Sequence, residues 1–444
     1  MIKIILHRIW NERKQNGWLF IELVVVSIFL WIAIDPLFVL MSHDYIPKGY
    51  DYKNVYSLKF EEKKNVSVDD FEEAVANDFS KVVNSVRELP EIEYYAVALR
   101  NSYPNSYETN CPKYSADTTA THFSRESFHA STYDVYDLPG SDYFAALKIR
   151  DAFTGEILKK SQINDGYGAY VSRSFALAMF GTIDVIGKKI NYSVDNKTQT
   201  ILGVFDNVQT MQYVEPMHLV IILNNHRMAF QSRNPFFSRN VYLRLKKGVD
   251  EEEFAERLSS TIIPDAGLVC EEFDAMEPLA DRARGAQRTF GIQSRYRLQT
   301  IFSCFALFCA FLGIMSTYWV RASSRLKDVG LMRSIGATTD NILWQFLVEG
   351  WLLVTLAFII ALPLLLHKVY SMGFADPLAK LMSMMWEDLL LPKDAAYLHN
   401  QPVAHFIIVS IITYLFMLFV AAVGVILPIK KTTRIQPSEA LSEE

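Results

Sequence analysis

Residues Gly181–Lys189, GTIDVIGKK, come nearest to a phosphate-cradling loop. A Walker A loop places four residues between its first glycine and Gly-Lys-Ser/Thr, because backbone N–H groups wrap the phosphates and the hydroxyl holds magnesium. Here five residues intervene and Lys189 stands where the hydroxyl is required. The better reading is a glycine turn between a helix and a strand. The nine histidines are scattered without an H-E-x-x-H pair, and no C-x-x-C or G-x-S-x-G occurs. Cys304 and Cys309 read as small apolar fillers. Cys111 and Cys270 share one segment of the chain and could form a disulfide if that segment faces an oxidising compartment. No catalytic, cofactor-binding or metal-ligating residue is therefore expected in this chain.

Two other patterns point to assembly. Residues 321–341 read RASSRLKDVGLMRSIGATTDN. Leu326, Val329, Met332 and Ile335 recur every third residue beside Arg325, Lys327 and Arg333, and Gly336-Ala337-Thr338 supplies a stop. That predicts a short amphipathic helix able to lie on a membrane surface or dock into a partner groove. Ser303, Ala306, Ala310, Gly313 and Thr317 form a stripe of small residues at alternating spacings of three and four. Such a stripe admits a second helix closely, either within the chain or across a homodimer seam.

Long apolar elements must carry these patterns. Half of the 444 residues are hydrophobic, yet 44 Lys or Arg and 49 Asp or Glu are present. The mean hydropathy of +0.11 is high for a soluble chain, and the charge is high for a pure membrane bundle. A net charge of −5 excludes a globally basic nucleic-acid binder. Crossing a bilayer takes about 20 apolar residues, and four segments qualify: 18–41, 298–320, 342–366 and 403–429. The first contains Glu22 and the Asp35–Pro36 pair, and its length with no cleavage site speaks against a signal peptide.

Basic residues set the expected orientation. Lys3, Arg8, Arg13 and Lys14 precede the first span, Arg321, Arg325, Lys327 and Arg333 follow the second, and Lys430, Lys431 and Arg434 follow the fourth. Both termini and the 321–341 loop are thus expected in the cytoplasm. Residues 42–297 and the short loop 367–402 are expected outside. Residues 1–17 resemble an amphipathic surface helix, and 430–444 a cytoplasmic tail. The predicted class is an α-helical membrane protein with four transmembrane helices and a large α+β extracytoplasmic domain between helices 1 and 2. In that domain Ser67–Leu89 has a helical stripe with a cap at Ser67-x-x-Asp70. Strands are expected at 92–99, 143–149, 201–205, 218–223 and 241–245. Residues 101–134 read as irregular, 250–258 as helical, and the region after Glu271 as a helical stalk.

Glu22 and Glu349 lie only about 6 Å and about 10 Å inside their spans at about 1.5 Å per residue, and His405 sits at an edge. Pairing with a nearby arginine or snorkelling accounts for them better than a hydrophilic pathway does.

The run LKDVGLMRSIGATTDNILWQFLVEG, residues 326–350, resembles the signature of the MacB/FtsX family of ABC-transporter permeases. Asp328, Val329, Gly330, Leu331, Arg333, Ser334, Ile335, Gly336, Ala337 and Glu349 carry the match. Pro437, Glu439, Ala440 and Leu441 resemble the family's closing motif. YVSRSFALAMFGTIDVIGKKI with ILGVFDNVQ is similar to the MacB-like periplasmic core domain. The resemblance implies a dimeric permease, homodimer or heterodimer, in the bacterial inner membrane. It implies a separate MacB-type ATPase carrying ATP and Mg, with an adaptor or outer-membrane component as further partners. Arg325, Leu326, Lys327, Asp328, Val329, Gly330, Met332, Arg333, Gly336 and Ala337 would then couple the ATPase to the spans. The implied work is mechanotransmission for export of peptides, toxins or lipoproteins. An FtsX-like regulator of an outer enzyme, or a membrane sensor with a ligand-binding ectodomain, are the alternatives.

Overall fold

The computed structural model describes residues 13–64, 70–106, 110–116, 127–161, 167–193, 197–212, 214–230, 235–324, 331–376 and 397–432. Residues 1–12, Ser67, Arg325 to Gly330 and the closing motif at 437–441 lie outside them. Contacts divide the chain into a helical unit (1–42, 295–377 and 394–444) and a sheet unit (43–294 and 378–393).

Four long helices build the helical unit: α1 (Arg13–Asp44), α6 (Ile292–Ser324), α7 (Thr339–Met372) and α8 (Pro402–Thr432). Each is long and apolar enough to cross a membrane, and each runs past the span expected from hydropathy. Their shared core contains Leu23, Leu30, Ala310, Ile314, Tyr318, Leu353, Val354 and Val420. The outward faces are also apolar: Val25, Phe29, Phe302, Phe305, Ile359, Ile411 and Phe419 are all exposed.

The sheet unit begins with β1 (Val55–Glu62) and α2 (Phe71–Arg87), then β2 (Ile92–Leu99), β3 (Lys113–Ser115), β4 (Phe128–His129) and β5 (Ser131–Asp137). It continues through α3 (Tyr143–Leu147), β6 (Tyr167–Ser172), α4 (Arg173–Phe180), β7 (Lys189–Tyr192), β8 (Lys197–Phe205) and β9 (Leu219–Asn225). It closes with β10 (Arg239–Leu245), β11 (Glu271–Pro278) and α5 (Leu279–Thr289). The strands form one mixed sheet in the order β11-β1-β10-β2-β5-β9-β6-β8-β7-β3-β4. The β5–β9 and β6–β8 pairs are parallel.

Strand periodicity distributes the core over both faces. Tyr56, Leu58, Val97, Leu243 and Leu245 pack with Phe79, Val82 and Val86 of α2. The intervening Val55, Ala96, Ala98 and Tyr242 pack with Tyr143, Phe144 and Leu147 of α3 and with Leu279 and Ala283 of α5. With both faces covered, every residue of β10 is buried. Asp78 of α2 is buried, and its Oδ2 accepts the backbone N–H groups of Val269 and Cys270 at 2.7 Å each. That contact ties α2 to the chain entering β11.

Several expectations change. Residues 143–147 are a helix, because Asp142 caps it by accepting from Ala145 N at 2.9 Å and Lys148 ends it with φ +54°. Its all-apolar run fits a helix buried on every side as well as a strand. The region after Glu271 is first a strand: β11 pairs along β1, with Lys59 and Asp274 joined at 2.5 Å. Tertiary pairing there overrides the helix preference of an acidic run. The α2 cap is Asp70, which accepts from Glu73 N. Within 101–134, Lys113–Ser115, Phe128–His129 and the start of β5 are strands.

The glycine turn at 181–189 fits the sequence reading. Gly181 ends α4 at φ +70°, and Gly187 (φ +83°) precedes β7. The pairing of Cys111 with Cys270 does not form: no disulfide joins them. Cys111 Sγ is 3.9 Å from Ser131 Oγ on β5, whereas Cys270 adjoins β11. Four strand spacings, about 19 Å, separate those strands, and a disulfide needs Cα atoms within roughly 7 Å.

His218, just before β9, is buried with Nδ1 3.2 Å from Ser174 Oγ. Burial pushes its pKa down from 6.5 to about 4. Because the folded value lies below the unfolded one, its contribution is present above about pH 6.5 and lost as pH falls towards 4. The loss approaches about 3 kcal/mol. His218→Gln should flatten that part of the pH–stability curve, read as Tm against pH.

Candidate functional site

The segment expected from sequence to meet an ATPase lies between α6 and α7. Leu331–Ser334 are helical, and the turn closes at Gly336, whose φ is +92°. Gly336 N donates to Arg333 O at 3.0 Å and Ala337 N to Met332 O at 3.0 Å. Those two bonds define a Schellman stop, in which only glycine adopts the left-handed position without strain. Thr338 then caps α7, its Oγ1 accepting from Asn341 N at 3.4 Å. Met332 and Ala337 turn inward against the helical core. Leu331 and Ile335 stay exposed, at 58% and 79%. Of the apolar edge expected from sequence, Met332 faces the core and Ile335 the surface, while Leu326 and Val329 lie outside the described residues.

Polar side chains clamp the helices beneath this turn. Arg321, near the end of α6, is hydrogen-bonded to Glu349 Oε1 of α7, and Glu349 is buried. One turn earlier, Tyr318 donates from its hydroxyl to Gly350 O at 3.1 Å. Thr317 donates to Glu22 Oε1 of α1 at 2.9 Å. The expected arginine partner exists for Glu349, while Glu22 uses a threonine. An arginine and a carboxylate in an apolar bundle each lose hydration, and the ion pair replaces part of it.

The small-residue stripe faces inward. Ser303, Ala306 and Ala310 are buried, and Ala310 belongs to the helical core; Gly313 and Thr317 are half-buried. A Cβ at Gly313 would meet nothing within 4 Å. The close approaches lie elsewhere, around Tyr318. A Cβ at Gly350 would come 3.1 Å from the Tyr318 ring, and one at Gly424 would come 2.9 Å from Tyr318 Cβ and 3.3 Å from Met315 Cα. Sequence reading passed over this pivot, although a glycine inside each of two apolar helices was a signal for it.

A second polar group lies where α7 ends and α8 begins. Asp35 of α1 and His405 of α8 are fully buried, with Nε2 2.9 Å from Oδ1. Lys368 Nζ is 3.4 Å from Asp35 Oδ2, and Ala375 N donates to the same oxygen at 2.9 Å. Sequence reading treated Asp35–Pro36 as an interruption, because nothing local shows which helices meet it.

Among known proteins, residues 300–437 match the FtsX-like permease C-terminal family. The macrolide export ATP-binding/permease protein MacB of Escherichia coli O157:H7 is 24% identical over 211 residues, 46% of this chain and 31% of that protein. MacB of Shigella flexneri gives the same identity and coverage. The chain thus spans about a third of the length of these curated relatives, in their permease part. Among solved structures, the periplasmic region of MacB from Actinobacillus actinomycetemcomitans covers 55% of this chain and 96% of its own, at 10% identity and TM-score 0.31. The extracellular domain of the noncanonic ABC-type transporter YknZ from Gram-positive bacteria covers 50% and 100%, at 11% identity and TM-score 0.29.

Two outcomes test the clamp. Glu349→Ala should destabilise the helical unit by about 3–5 kcal/mol, since it strands a half-buried guanidinium, and Arg321→Ala added to it should recover part of the loss. Gly424→Val should cost about 1–3 kcal/mol by forcing α6 and α8 apart. Denaturation of the detergent-solubilised chain reads both. Residues 300–437 thus match the FtsX-like permease C-terminal family, and 46% of the chain is similar to MacB at 24% identity.

Proposed function

We propose that this chain is the permease subunit of an ABC-type machine in the bacterial inner membrane. The four long helices span the bilayer, both termini and the 321–341 segment face the cytoplasm, and the sheet unit works in the periplasm. The apolar outward faces of α1, α6, α7 and α8 favour this reading, since such surface is stable in lipid and costly in water. A separate MacB-type ATPase carries ATP and Mg, this chain holds neither, and the permease acts as a dimer. ATP-driven closure of the ATPase pair moves the 321–341 segment. The outer domain rearranges in response, exporting peptides, toxins or lipoproteins already at the outer face.

One observation carries the proposal. Within the residues that match the permease family, an exposed apolar turn at Leu331 and Ile335 is mounted on a buried ion pair joining α6 to α7. A surface turn on a rigid mount suits force transfer, because a push on it moves two helices rather than one loop. Ile335→Glu should weaken association with the cognate ATPase by about 2 kcal/mol, roughly 30-fold in Kd. Co-purification and titration in nanodiscs measure it. Unchanged affinity, or purification with no ATPase partner, would overturn the reading.

A further inference from the structure

The Asp35–His405 pair has no part in the coupling just described, and its geometry carries a consequence for protonation. His405 Nδ1 lies 2.9 Å from the backbone oxygen of His399. A carbonyl has no proton to give, so Nδ1 must be the donor. A neutral imidazole would then present its bare Nε2 lone pair to Asp35 Oδ1 at 2.9 Å. Two lone pairs cannot share a hydrogen-bond distance in a site where both side chains are fully buried. One proton must sit between them, whether it resides on nitrogen or on oxygen, and it belongs to the pair.

Polar groups from three elements and a wall of aromatic rings enclose the pair. From α7, Lys368 faces Oδ2, and its Nζ also donates to Gly373 O at 3.1 Å. From the segment after α7, Ala375 N donates to Oδ2, and Asp376 follows. From the turn before α8, His399 contributes its carbonyl. The remaining walls are aromatic. Phe374 stacks face to face on the His405 ring at 3.8 Å, Phe38 lies 4.9 Å away, and Trp31 sits against Phe374 and Phe406.

We propose that Asp35 and His405 form a buried binding site for a single proton, which fastens the start of α8 and the Gly373–Ala375 segment to α1. With the proton bound, Asp35 is hydrogen-bonded to three elements at once. Without it, a carboxylate confronts an imidazole lone pair, the α8 contact is lost, and the Gly373–Ala375 segment, whose Phe374 ring stacks on His405, loosens with it. The fastening therefore holds only while that proton is bound.

The test uses the full chain in phospholipid nanodiscs, with ¹⁵N-histidine and ¹³C-aspartate labels and His405 assigned by its loss in His405→Gln. At neutral pH the pair should carry one proton, seen either as two ring N–H groups with an ionised Asp35 or as a bare Nε2 with a protonated Asp35. A bare Nε2 beside an ionised Asp35 would overturn the proposal. Hydrogen exchange gives an independent reading. Peptides covering 373–376 and 402–405, corrected for intrinsic rates, should lose about tenfold protection in one step as pH rises. That step should persist in Lys368→Met and vanish in His405→Gln; the same pH course in wild type and His405→Gln would sink the idea.

Discussion

A carboxylate inside an apolar helical bundle must find donors within the bundle. This chain meets that constraint at both ends of its long helices. Glu349 takes Arg321 from the neighbouring helix, Glu22 takes a threonine hydroxyl, and Asp35 takes a lysine, a histidine and a backbone N–H. All but the Ala375 bond cross between helices, so the helices cannot slide independently without leaving a desolvated charge behind. Apolar side chains fill the space between these points but tolerate sliding, because dispersion contacts are non-directional.

The Tyr318 pivot adds a steric counterpart to the polar clamp. Its ring and Cβ occupy the space left by Gly350 and Gly424, and its hydroxyl reaches Gly350 O. One side chain therefore sets the spacing of α6 against both α7 and α8, one turn from the Arg321–Glu349 pair. The Schellman stop at Gly336 holds the intervening turn against the same core through Met332 and Ala337. A proposed input site that is rigid at its base and apolar at its tip follows from these local choices.

In the sheet unit the strong signals were those of regular periodicity. The strand at Ile92–Leu99 and the helix around Asp250 are where alternation and capping residues put them. The misread elements share one cause, which is that their partners lie far away in sequence. Residues 143–147 are apolar on every side, so period could not separate helix from strand. The acidic β11 is held extended by β1, more than 200 positions earlier in the chain. The Cys111–Cys270 pairing rested on a shared compartment, and strand order separates the two thiols.

What the sequence determined by itself is what depends on local composition. That includes four apolar helices, a turn with its stop at Gly336, a mixed domain between the first two helices, and a motif resembling MacB/FtsX permeases. Tertiary structure alone decided which buried polar groups meet. Asp35 and His405 stand 370 residues apart in the chain, and Ser303, Ala306 and Ala310 of the stripe are buried within this chain, Ala310 in the core of its own bundle. The physical reason is that hydrophobic patterning specifies how much surface must be covered, whereas partner choice depends on how helices pack, and that is a property of the whole chain.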